Sequence, residues 1–164
     1  MKKLIISIVL LNLLAACAGQ KPKEIAAVPD SAAATRGVSA DQTAVDPLND
    51  PKSILAKRSV YYPFDVSAVQ EADKPVVQAH AKYLAEHANR KMRLEGNCDE
   101  RGSSEYNLAL GQRRADGVVK MLELGGAKAN QVIGISLGEE YPADTNHNEA
   151  AWQKNRRTDL NYTK

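Results

Sequence analysis

Two residues in this 164-residue chain carry complementary charge chemistry, Asp99 and Arg114. Arg114 offers a planar fork that can hold a carboxylate through two parallel hydrogen bonds, and Asp99 offers an anion that can hold an ammonium. Together they suit a zwitterion. Asn107, Leu110 and Arg114 fall at i, i+3 and i+7 of a helix, so the Asn107 amide shares a stripe with the guanidinium. Spacing alone fits a plainer reading better, in which Asp99 and Arg114 are solvated surface charges or pair with each other. A different chemistry is offered by Gly134-Ile135-Ser136-Leu137-Gly138, a G-x-S-x-G pattern with His147 downstream. A serine nucleophile in that pattern needs a strand, a sharp turn and then a helix, and no helical pattern follows Gly138. A hydrolase acting through Ser136 therefore stays as the alternative. His80, His87 and His147 lack metal-ligand spacing and have no cysteine pair nearby, so neither a metal nor any other cofactor is expected.

The elements that must position these groups follow from periodicity. Val60, Tyr62 and Phe64 alternate as a short strand that Pro63 confines to an edge or an end. Asp73-Lys74-Pro75 opens a helix, with Asp73 as N-cap, and Val76, Val77, His80, Ala81 and Leu84 lie on one face as far as about Asn89. Lys91 to Asn97 alternates again as a strand. After a loop, Cys98 to Gly102, Ser103 or Ser104 caps a long helix that stops at Gly125-Gly126, with Glu105 favourable in its first turn. Its core stripe reads Leu108, Gly111, Ala115, Val118, Val119 and Leu122, which turns Asn107 and Arg114 outward and leaves the fold indifferent to them. Strands at Gln131 to Leu137 and Arg156 to Tyr162 complete a β-α-β-α-β-β order. That order predicts an α/β (α+β) two-layer sandwich, two helices on one face of a small mixed four-stranded sheet.

The N-terminal end has its own pattern. Lys2 and Lys3 precede an apolar run, Leu4 to Ala16, too short to cross a membrane, where about 20 residues are needed. The run ends in Leu14-Ala15-Ala16-Cys17, which resembles a bacterial lipobox: residues 1–16 would be a signal peptide, and Cys17 would be acylated as the first mature residue. Several acyl chains anchor stably where one does not. Residues 17–56, the acylated cysteine followed by a stretch rich in Ala, Pro, Asp, Ser and Thr and without aromatics, read as a flexible tether. Such a segment cannot offset its ordering entropy. The folded domain is then 57–164. The chain has 22 basic and 20 acidic residues, and loss of residues 1–16 removes two lysines and leaves 20 of each. No nucleic acid partner is expected from so balanced a charge. If Cys17 is acylated, Cys98 has no intramolecular partner and is expected as a buried thiol.

The stretch from Gly96-Asn97-Cys98-Asp99-Glu100-Arg101-Gly102 through Ser103-Ser104-Glu105-Tyr106-Asn107 to Gln112-Arg113-Arg114-Ala115 resembles the signature of the OmpA-like peptidoglycan-binding domain family. Val60 to Asp65, Leu137 to Pro142 and Asn155-Arg156-Arg157 extend the resemblance over about residues 58–164. Cys98 departs from it, since a small residue such as Ala is expected there. The resemblance implies a non-enzymatic, lipid-anchored protein of the outer membrane whose domain faces the periplasm and binds peptidoglycan noncovalently. It implies that Asp99 and Arg114 grip the diaminopimelate of the stem peptide, and that Asp65 and Asn107 line the same pocket. It also implies the Tol system as partner, with TolB competing for an overlapping surface.

Overall fold

A computed structural model of the chain describes residues 46–163. The signal peptide, Cys17 and most of the expected tether lie outside the described residues. The elements are β1 (Ser59–Tyr61), α1 (Lys74–Glu86), β2 (Lys91–Asn97), α2 (Ser104–Leu124), β3 (Val132–Gly138), α3 (Glu149–Asn155) and β4 (Arg157–Thr163). The sheet runs β1-β4-β2-β3. β4 is antiparallel to both of its neighbours, and β2 and β3 are parallel. The sheet is thus mixed and four-stranded, as the element order predicts.

Alternation along β2 fixes the two layers. Met92, Leu94 and Gly96 point into the core while Lys91 and Arg93 are exposed. Val77, Ala81 and Leu84 of α1 and Ala115, Val118 and Leu122 of α2 pack on that inner face with Val60 and Leu160. The closest approach is between backbones: a Cβ on Gly96 would stand 1.9 Å from the Gly111 carbonyl oxygen. The two glycines let α2 lie against β2 with nothing between them.

Caps and breaks follow local chemistry with one exception. The Ser103 hydroxyl accepts from the Tyr106 N–H at the start of α2, and Gly126, at φ +106, follows its end. Asp73 precedes Pro75 at the start of α1, but its carboxylate makes no helix cap and accepts from the Tyr61 N–H instead, tying α1 to β1.

Three findings differ from expectation. A third helix, α3, precedes β4; Asn148 caps it through the Ala151 N–H. Seven residues with only Ala151 and Asn155 buried are too short for helical periodicity to stand out. Residues 46–56, assigned to the tether by composition, join the folded unit. Leu55 is buried in a turn of 3-10 helix, and the Asp46 carboxylate accepts from the Tyr83 hydroxyl and from Arg90. Finally, the outward stripe on α2 is not outward. Its buried residues are Asn107, Leu110, Gly111, Arg114, Ala115, Val118 and Leu122, a single face, whereas Leu108 is exposed. Polarity argued for water at Asn107 and Arg114, but irregular backbone around them supplies acceptors for their N–H groups.

Candidate functional site

Four loops meet at one end of the sheet: the segment after β1, the β2–α2 loop, the β3–α3 loop and the turn into β4. A cleft of about 190 Å³ lies among them, lined by Phe64, Asp65, Cys98, Asp99, Arg101, Gly102, Tyr106, Asn107, Leu110, Arg114 and Arg156. Asp65, Asp99, Asn107 and Arg114 are therefore gathered around one cavity.

Arg114 forms the back wall. Its Nε donates to the Val66 carbonyl at 2.9 Å, its Nη1 to the Asn97 carbonyl at 2.8 Å and to the Cys98 Sγ at 3.3 Å, and its Nη2 to the Pro63 carbonyl at 3.4 Å. No carboxylate pairs with it among the described residues. Burial lowers its pKa, but a guanidinium stays charged, so the wall carries a desolvated positive charge faced by carbonyl dipoles, the Cys98 sulfur and the Tyr62 ring, 4.8 Å away. Such a site favours an anion. Nη2 makes a single, long hydrogen bond among the described residues, and a ligand carboxylate would supply a further acceptor.

Asn107 holds the β2–α2 loop in place. Its amide nitrogen donates to the Asp99 and Arg101 carbonyls, both at 3.1 Å, and to the Glu139 carboxylate. Gly102, at φ +107, allows that loop to turn back toward the helix. Asp65 also has positive φ, 58°, a conformation its short polar side chain tolerates, and accepts from the Tyr106 hydroxyl at the cleft's edge. Cys98 is buried, as expected for an unpaired cysteine; its thiol donates to the Asn107 carbonyl, and burial pushes its pKa up.

Asp99 is occupied. Oδ1 accepts from the Arg101 N–H and Nε, both at 3.1 Å; Oδ2 accepts from Arg101 Nη2 at 2.6 Å and Arg156 Nη1 at 3.0 Å. Burial alone would raise its pKa, but the hydrogen bonds from Arg101 and Arg156 outweigh it and hold the carboxyl below its ordinary value. Asp99 and Arg114 do not bond to each other. Arg101 and Arg156 are the residues that sequence reasoning missed. Arg101 stands two positions after Asp99, the spacing at which an aspartate captures the following N–H, and that was the available signal. Arg156 comes from the far end of the chain, and its one signal was its place in the Asn155-Arg156-Arg157 stretch of the family resemblance.

Ser136 is no nucleophile elbow. It lies inside β3, its hydroxyl accepts from the Gly138 N–H, and the next helix starts only at Glu149. His147 is engaged elsewhere, with Glu100, which also accepts from Trp152 Nε1 at 2.7 Å.

A small mixed sheet with two long helices on one face, and a charged cleft built by the loops at one end, define a binding domain rather than a barrel or a bundle. The chain matches the OmpA family over residues 61–156 and belongs to it. It is 47% identical over 104 residues to the peptidoglycan-associated lipoprotein of Pasteurella multocida, covering 63% of this chain and 69% of that protein. It is 39% identical over 143 residues to the protein of the same description from Pseudomonas putida, covering 87% and 83%. The crystal structure of the peptidoglycan-associated lipoprotein from Burkholderia pseudomallei superposes with a TM-score of 0.71 at 52% identity, covering 72% of this chain and all of that one.

Proposed function

We propose that this protein is a peptidoglycan-binding lipoprotein of the outer membrane, anchored by acyl chains on Cys17, that grips the diaminopimelate of the wall's stem peptide in the cleft at the end of its sheet. The observation that carries this reading is the buried Arg114 guanidinium, without a carboxylate partner, on the back wall of a cleft that Asp65, Asp99 and Asn107 share. A ligand carboxylate complements Arg114, and the ammonium beside it complements Asp99. The names of the relatives, peptidoglycan-associated lipoproteins, support peptidoglycan as the polymer bound. Residues 1–16 serve as signal peptide, and Ala18 after the cysteine favours outer-membrane sorting, with the domain facing the periplasm. Tol proteins, TolB among them, are the partners, and TolB and peptidoglycan compete for overlapping surface.

Changing the ligand tests the site without disturbing the fold. A soluble stem tripeptide ending in diaminopimelate should displace the protein from insoluble sacculi, whereas the same peptide ending in lysine should not, since lysine lacks the carboxylate that Arg114 would hold. Equal competition by both, or by neither, refutes the assignment. The anchor is tested by Cys17→Ala, which should leave the protein soluble or unprocessed on membrane fractionation; a variant still released only by detergent refutes it.

A further inference from the structure

An ammonium cannot reach Asp99 in the arrangement described. A carboxylate has about four lone-pair positions, and all four on Asp99 are taken, three by Arg101 and one by Arg156. The two arginines differ in freedom. Arg156 is 5% exposed and fixed further by the Tyr62 carbonyl and Glu149. The Arg101 side chain is 32% exposed and lies at the mouth of the cleft, its guanidinium between the rings of Phe64 at 4.3 Å and Trp152 at 4.2 Å. Stacked between aromatic faces and hydrogen-bonded on one edge, it covers Asp99 from solvent.

We propose that Arg101 is a built-in occupant of the ligand's ammonium position, displaced when diaminopimelate enters. This rests on the reading of the cleft given above. Asp99 would exchange one cation for another while Arg156 stays in place, so the acceptor positions that the Arg101 side chain vacates are not left empty in a buried site. The displaced guanidinium has an acceptor nearby, since Arg101 Nη1 already stands 3.5 Å from the Glu149 carboxylate at the start of α3. Arg101 thereby sets specificity. A ligand with a carboxylate but no ammonium has nothing to offer Asp99 in exchange and leaves Arg101 where it is.

Trp152, the chain's only tryptophan, reports the exchange, because its ring loses a cation from its face when Arg101 moves. The full chain in detergent is titrated with the stem tripeptide ending in diaminopimelate, by calorimetry and by Trp152 emission. Emission should change in step with binding. The same tripeptide lacking the side-chain amine should bind more weakly and leave emission unchanged. Arg101→Gln should bind the diaminopimelate peptide at least about threefold more tightly, since self-occupation no longer reduces the competent fraction, and its emission should respond little. Binding without an emission change in the parent, an equal emission change with the amine-free peptide, or weaker binding by Arg101→Gln overturns the proposal and leaves the site itself standing. A parent that does not bind the tripeptide overturns the reading of the cleft, and the proposal with it.

Discussion

At the scale of single residues, the buried face of α2 revises what a substitution there reports. The reading of Arg114 as an outward residue implied that its loss would affect only binding. Buried, and donating to three backbone carbonyls and a thiol, it supports the segments after β1 and β2 as well. Arg114→Ala should cost roughly 3 kcal/mol or more in denaturant unfolding, from the cavity it leaves and the carbonyls it orphans. An unchanged unfolding midpoint contradicts this account. Asp99 links stability to pH in a defined direction. Its folded pKa lies below the ordinary 3.8, so between the two values the unfolded chain binds more protons. The stabilisation is complete above 3.8 and is lost as the pH falls through the lower folded value. Asp99→Asn should therefore flatten that acid limb of the stability profile; an acid limb identical to the parent's counts against the pairing. Asp99, Asn107 and Arg114 stood out in the sequence as an acid, an amide and a guanidinium in one stretch, whereas Asp65 was named only through the family resemblance. Their burial and partners were not legible there. Arg101 and Arg156 share Asp99 only because chain segments 57 positions apart, at Asp99 and Arg156, fold together.

At the scale of elements, the register between helix and sheet rests on backbone contact. Gly96→Ala would drive its Cβ into the Gly111 carbonyl and push α2 off β2. The expected cost is about 3 kcal/mol or more, measured by thermal melting, because the obstacle is backbone and cannot rotate away. A melting temperature within a degree of the parent's is incompatible with that contact. The segment before β1 gives a second test. A chain beginning at residue 57 loses Leu55 and Asp46, whereas one beginning at residue 46 keeps the buried leucine and the bonds to Tyr83 and Arg90. The shorter chain should be less stable by about 2 kcal/mol, largely the burial of one leucine. Equal urea midpoints would show that the segment contributes nothing. Strands β2, β3 and β4 and both long helices were legible because their apolar residues recur at the period of the element. Residues 46–56 were not, since one buried leucine among prolines and acids has no period. On α2, Leu108 at 53% exposed and Arg114 fully buried invert the polarity rule, and no periodicity argument ranks a leucine outside an arginine.

For the molecule as a whole, the strand ends separate two regions. The cleft gathers at the end where β2 finishes with Asn97, whereas Asp46 is held by Arg90 at the end where β2 starts, about 20 Å away along the strand. The described segment therefore begins at the end of the sheet opposite the candidate cleft. The sheet order carries a consequence in time. β4 lies between β1 and β2, and its residues are the last of the sheet to be made; Ser59 pairs with Asp159 a hundred positions later. For a chain made N-terminus first, β1 has no sheet neighbour and β2 has only β3 until the final strand arrives, and such non-local pairing is slow. A chain stopped before Arg157 should leave β1 unpaired and the segment around it open to protease, however much of the helical layer it contains; protection of residues 59–61 in such a fragment would contradict this. Closure of the sheet thus waits on its latest-made strand, β4, which alone joins β1 to the other two.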